Sequence, residues 1–185
     1  LTGNGTLSLA SDWPEAAAAP ITVAQGATLT LDGVAIDGQN VELQYGADTG
    51  CAIEVQGALV LESGEICNFT NGANSTSSNV IYVNGGTFAM NGGSISGNSL
   101  DAGNYHGVVY LAGGASFTMN GGTLSGNFVA DPQGASGVVN VSNKDGENTF
   151  VMEGGSISEN LSTGVYVGSN SSNEDAGGKA VFTLN

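Results

Sequence analysis

Few residues in this chain are equipped for chemistry. Histidine occurs once, at His106, cysteine twice, at Cys51 and Cys67, and the only cationic side chains are Lys144 and Lys179, with no arginine. A serine, threonine or cysteine nucleophile needs a neighbouring base oriented by a third group, and His106 alone could serve in that role. No catalytic residue is therefore expected. Cys51 and Cys67 lack His or Cys partners at metal-ligand spacing, so they read as a disulfide pair rather than as a zinc site or a reactive thiol. Asp145, Glu147 and Asn148 in one polar stretch, and Asn173, Glu174 and Asp175 in another, offer hard oxygen ligands at close spacing, which leaves calcium open. Neither stretch matches an EF-hand or a nonapeptide β-roll repeat, so both are read as solvated loops, with no cofactor or metal site. The residues placed to bind rather than to react are Glu54, Tyr82, Tyr110, Asn140 and Tyr166, which occupy one equivalent position in successive repeats.

The elements that must position them are written into a glycine-punctuated phrase: GGTFAMNGGSISGN at 85–98, GGASFTMNGGTLSGN at 113–127 and ENTFVMEGGSISEN at 147–160. Its central apolar residues, Leu31, Leu61, Met90, Met119, Met152 and Leu184, are separated by 30, 29, 29, 33 and 32 residues. A unit that short cannot enclose a core alone, so copies must stack on one another. The expectation is an all-β, right-handed parallel β-helix, a single-stranded solenoid of about six turns with three short strands per turn.

Period-2 alternation marks the first strand, with Ile81 and Val83 on one face and Tyr82 on the other. The same pattern returns at Val109-Tyr110-Leu111, Val139-Asn140-Val141 and Val165-Tyr166-Val167. In the second strand Phe88 and Met90 point inward, as do Phe117 and Met119, Phe150 and Met152, Phe182 and Leu184, Leu29 and Leu31, and Leu59 and Leu61. A third inward position falls five residues after each anchor, at Ile36, Ile66, Ile95, Leu124 and Ile157. Five is odd, so the intervening Gly-Gly pairs at 92–93, 121–122 and 154–155 must turn a corner. Asn98, Asn127 and Asn160, eight residues past their anchors, suit a left-handed corner and a ladder of amides bonded from turn to turn.

Residues 1–185 read as one β-helix domain, with an atypical turn and loop at 1–20 and repeats over 21–185. Polar stretches between Asn68 and Val80, Asn98 and Val108, and Asn127 and Val138 are the variable loops.

Seventeen acidic residues against two lysines give a formal net charge of −15. Nucleic-acid binding draws on clustered Lys and Arg, so it is excluded, as is docking to an anionic membrane surface. Polyanionic glycans are disfavoured by the same repulsion. No apolar run is long enough to insert in a membrane. With no leader pattern and no initiator Met, the chain reads as a mature or excised fragment, a monomer within a longer chain.

The phrase GG-x-F-x-M-x-GG-x-I-S-x-N at 85–98 and 113–127, with ITVAQGATLTLDGVAIDG at 21–38, resembles the pectate-lyase-like right-handed parallel β-helix family. It is similar in particular to the repeats of secreted or surface adhesin-like proteins of commensal bacteria. The resemblance spans nearly the whole chain and implies an extracellular or cell-surface setting, with a host or cell-wall glycan or a protein as partner. Lyases of this fold neutralise a uronate and take its proton with Arg or Lys, and the related polygalacturonases carry Asp-Asp, Gly-His-Gly and Arg-Ile-Lys motifs. This chain departs from both, since His106-Gly107 is the nearest fragment. A non-catalytic stalk or adhesin module displaying loops is the expectation, and a carbohydrate-binding or polysaccharide-degrading module is the alternative. An ice-binding face would need regular outward Thr-x-Thr ladders, of which Thr28 and Thr30 supply one.

Overall fold

The computed structural model describes residues 1–10, 19–43, 50–71, 78–101, 107–130, 135–168 and 177–185. Within them every regular element is a strand, and the strands coil in a repeating order. The first coil holds β1 (Thr6–Ser8), β2 (Ile21–Val23) and β3 (Thr28–Leu31). The second holds β4 (Val34–Asp37), β5 (Glu42–Leu43), β6 (Gly50–Val55) and β7 (Ala58–Leu61). The third holds β8 (Gly64–Cys67), β9 (Thr70–Asn71), β10 (Ser78–Asn84) and β11 (Thr87–Met90). The fourth holds β12 (Ser94–Ser96), β13 (Ser99–Leu100), β14 (Gly107–Ala112) and β15 (Ser116–Met119). The fifth holds β16 (Thr123–Ser125), β17 (Phe128–Val129), β18 (Gly137–Ser142) and β19 (Glu147–Met152), and β20 (Ser156–Ser158), β21 (Val165–Gly168) and β22 (Lys179–Leu184) close the series.

Equivalent strands pair in parallel into three six-stranded sheets, and five rises between six strands make a β-solenoid of about five turns. We call them the serine sheet (β1-β4-β8-β12-β16-β20), the tyrosine sheet (β2-β6-β10-β14-β18-β21) and the phenylalanine sheet (β3-β7-β11-β15-β19-β22). The anchors read from the sequence fall in register: Leu31 on Leu61, Leu61 on Met90, Met90 on Met119, Met119 on Met152 and Met152 on Leu184. Beside them Phe88, Phe117 and Phe150 stack with centroids 4.5 and 4.7 Å apart, and Phe182 continues the column at 5.0 Å. Burying each such side chain stabilises the stack by roughly 1.5–3 kcal/mol, which fixes the register without help from helices.

The Gly-Gly corner is required by both backbone and space. Gly93 and Gly122 have φ of 75° and 83°, and a Cβ on either would lie 2.6–2.8 Å from carbonyl oxygens of the preceding coil. Only glycine fits there without strain.

The asparagine ladder forms, although its backbone differs from the expectation. Asn98 donates from Nδ2 to Oδ1 of Asn127 at 2.9 Å, and Asn127 does the same to Asn160 at 3.0 Å. Each Nδ2 also bonds a carbonyl of an earlier coil, Ile66, Ile95 or Leu124. The left-handed residue is the one before, Gly97, Gly126 or Glu159, with φ of 63°, 64° and 58°. That residue turns the chain, leaving the Asn side chain aimed into the corner.

A fourth, narrow sheet, β5-β9-β13-β17, is also present, and β9, β13 and β17 lie where the sequence suggested loops. Leu100 and Val129 are buried there at 2% exposure, beside Phe69 at 3%. Strand β1 also joins the serine sheet in register, with Leu7 on Ile36, inside the segment expected to be atypical.

Candidate functional site

The five residues singled out from the sequence stand in one file on the outer face of the tyrosine sheet. Glu54 pairs with Tyr82, Tyr82 with Tyr110, Tyr110 with Asn140 and Asn140 with Tyr166, while Thr22, missed in the sequence, extends the file beyond Glu54. Period-2 alternation placed them there, because their neighbours Ile53, Val55, Ile81, Val83, Val109, Leu111, Val139 and Val141 all enter the core.

The file is not uniformly open. Tyr82 is 8% exposed and Asn140 is fully buried, whereas Glu54, Tyr110 and Tyr166 are half-buried. Tyr82 and Tyr110 meet at 5.5 Å with their rings tilted by 38°. Asn140 donates from Nδ2 to the Ala135 carbonyl at 3.1 Å, tying the file to the segment that enters β18. Glu54 accepts from Nε2 of Gln56 at 2.9 Å. Burial, with Tyr110 and Glu54 adding smaller effects, pushes the Tyr82 phenol up to about 12, so it is a neutral hydrogen-bonding group at physiological pH.

Residue-by-residue packing explains the burial of this face. Ala52 and Ile53, Val80 and Ile81, Val108 and Val109, and Val138 and Val139 are consecutive residues that all enter the core. Two adjacent inward side chains mean that each strand bends between them. A Cβ on Gly107 or Gly137, at the bend, would meet the Cβ of Asn140 at 3.0 Å or of Tyr166 at 3.1 Å. Asn140 and Tyr166 thus lean over the bend of the coil before them.

That bend overturns the disulfide expectation. Cys51 and Cys67 are both free and both buried. Cys51 sits just before a bend, in register with Asn79, and packs outside the core with Tyr82 and Ala112. Cys67 ends β8 on the serine sheet, in register with Asp37 and Ser96, and its Sγ accepts from Nδ2 of Asn68 at 3.5 Å. The two thiols belong to different sheets, so no bond joins them. Burial first, and Glu54 second, push the Cys51 thiol up to about 12; burial, Glu65 and Asp37 push Cys67 up to about 11. Both are unreactive in this state.

Of the oxygen-rich stretches, 173–175 lies outside the described residues, as does His106. Asn148 is fully buried and spends its oxygen on the Gly114 and Ala115 amides at 3.0 and 2.8 Å. Its Nδ2 donates to the Ser142 and Lys144 carbonyls, making it a staple between coils. Glu147 faces Lys179 at 3.5 Å, an exposed pair. Among the described residues no three acidic, His or Cys groups come together as a metal site, and no helix is long and apolar enough to cross a membrane.

No protein-family model, curated protein or solved structure matches this chain. Fold and local chemistry therefore define it as a parallel β-solenoid.

Proposed function

We propose that the chain is a non-catalytic module of a secreted or cell-surface protein, a rigid rod that binds a neutral glycan or a protein along its tyrosine sheet and the segments that precede its strands in sequence. The observation that carries this reading is where the amphipathic aromatics fall. Tyr82, Tyr110 and Tyr166 stand on the outer face of that sheet. The chain's remaining tyrosines and its tryptophan, Tyr45, Tyr105 and Trp13, stand in segments 44–49, 102–106 and 11–18, which precede β6, β14 and β2 in chain order. Those segments lie outside the described residues. Tyr and Trp combine large contact area with a polar handle, which is why binding surfaces concentrate them.

The resemblance of the repeat to pectate-lyase-like and adhesin-like β-helices supports the surface setting. The acidic balance favours neutral over polyanionic partners. A glycan array probed with the purified chain and with a Tyr110→Ala, Tyr166→Ala variant tests the reading. Binding of neutral oligosaccharides that the variant loses is expected. An array and a surface-protein panel both silent for the intact chain refute it, and release of reducing or unsaturated sugar would replace it with catalysis.

A further inference from the structure

A row of polar side chains follows the anchors around the corner between the phenylalanine and serine sheets: Asp32, Glu62, Asn91, Asn120, Glu153 and Asn185. Asn120 donates from Nδ2 to Oδ1 of Asn91 at 2.7 Å, Asn91 donates to Glu62 at 3.0 Å, and Asn185 donates to Glu153 at 2.8 Å. Two members of the row, Asn91 and Asn120, precede a glycine, as do Asn4, Asn71 and Asn84 elsewhere in the chain. An Asn-Gly step can react with itself, because glycine carries no side chain to hinder its amide nitrogen.

The coil stack treats these steps unequally. Asn84 is half-buried, and the Gly85 amide is held firmly by the Ala112 carbonyl at 2.9 Å. Asn91 is exposed, but both ends of its amide are engaged, Oδ1 by Asn120 and Nδ2 by Glu62. Asn120 is exposed, and among the described residues its Oδ1 faces no donor. The Gly121 amide makes only a long bond of 3.2 Å to the Met90 carbonyl, which the Asn120 amide already occupies at 2.8 Å. Asn4 is exposed and the Gly5 amide donates to no carbonyl among the described residues, which makes that step a reference for an unhindered site. Asn71-Gly72 runs into residues outside those described.

We propose that Asn120-Gly121 is a self-modification site of the folded chain, converting to aspartate and isoaspartate ahead of Asn84 and Asn91. The Gly121 nitrogen attacks Cγ of Asn120, the Cγ–Nδ2 bond breaks, and Nδ2 departs as ammonia with the proton that the glycine amide gives up. Water then opens the resulting succinimide at either carbonyl. Opening at one returns the normal backbone with an aspartate, and opening at the other leaves isoaspartate with an extra backbone carbon at the corner. Either product removes the donor that holds Asn91 and sets a carboxylate one coil from Glu153. The corner row thus gains charge with age.

The test is incubation of the intact chain at mildly alkaline pH and 37 °C, followed by peptide mapping for the mass gain of deamidation and by isoaspartate methyltransferase labelling. In the folded chain, conversion at Asn120 is expected several-fold ahead of Asn84 and Asn91, approaching that at Asn4, whereas in urea all four converge. Asn120→Gln, whose longer side chain disfavours the five-membered ring, should lose the signal at that position alone. Conversion of Asn4 with Asn120 no faster than Asn84, or a folded chain inert where the urea sample reacts, overturns the proposal. Asn120→Asp should melt below the unmodified chain, and a variant that melts unchanged removes the stated consequence for the corner row.

Discussion

Asn127→Ala offers a quantitative test of what holds the coils in place. The side chain is completely buried and makes four bonds: Nδ2 to the Ile95 carbonyl and to Oδ1 of Asn160, and Oδ1 from the backbone and side-chain nitrogens of Asn98. After truncation, Nδ2 of Asn98 retains the Ile66 carbonyl, and Oδ1 of Asn160 retains the Asn127 backbone amide. The Asn98 amide loses the bond that the side chain supplied, in a corner closed to water, while the Ile95 carbonyl keeps its place in the ladder between β12 and β16. At about 1–3 kcal/mol for the stranded amide and about 1 kcal/mol for the other bonds lost, the cost comes to roughly 2–4 kcal/mol. Against a total stability of about 5–15 kcal/mol for an ordinary domain, that is a large share. Asn120→Ala is the matched control, because it removes an amide of the same chemistry from an exposed row and should change stability by no more than about 0.5 kcal/mol. Urea unfolding followed by far-ultraviolet circular dichroism reads both. If Asn127→Ala falls within about 1 kcal/mol of the parent, or no further than Asn120→Ala, the ladder is an ornament of the fold and the reasoning fails.

Phe117→Ala should cost about 3–5 kcal/mol, since it opens a hole between two stacked rings, and Phe182→Ala, at the partly exposed end of the column, should cost less in the same melts. Gly114 and Gly122 share a φ of 83°, so alanine at either pays about 1–2 kcal/mol for the left-handed backbone. Only at Gly122 does the new Cβ also meet carbonyl oxygens of the coil below, so thermal denaturation should rank Gly122→Ala well beneath Gly114→Ala; equal midpoints contradict the packed corner. Both thiols should resist alkylation in the folded chain and react fully in urea, with the melting temperature indifferent to reductant; a mass two hydrogens lighter than the reduced chain restores the disulfide. The Tyr82 phenol, at about 12 in the fold against roughly 10 when unfolded, implies a linked pH dependence. Below pH 10 both states keep the proton, and between 10 and 12 only the unfolded chain releases it, so Tyr82 withdraws stability of order 2 kcal/mol as pH rises through that window. Tyr82→Phe should flatten that part of the stability profile, and a profile unchanged by the substitution places the ring in water.

The positions legible in the sequence and those that were not differ for one physical reason. Periodicity reports a side chain's direction only while the strand stays straight. Tyr82, Tyr110 and Asn140 each sit between two core residues of a local alternation, and Tyr166 repeats the pattern in register, so their common file is legible in the sequence. Cys51 lies two residues before Ile53, and strict alternation would send it into the core. The bend marked by the adjacent inward pair Ala52 and Ile53 turns it out beneath Tyr82. Leu100 and Val129 escaped for a related reason, since a strand of two residues has no period to display. The burial of Tyr82 and Asn140 is further removed still from any local pattern. It is set by what crosses the outer face, with Ala19 packed against the cluster of Cys51, Tyr82 and Ala112 and the Ala135 carbonyl over Asn140, and both contacts belong to segments whose lengths vary from coil to coil. A repeat specifies the rod, because each of its residues meets its own counterpart one coil away. The interruptions of the repeat decide which parts of the tyrosine sheet stay open, and there each residue meets something unlike itself. If the proposed binding face is right, its specificity has to be sought in the segments that break the period.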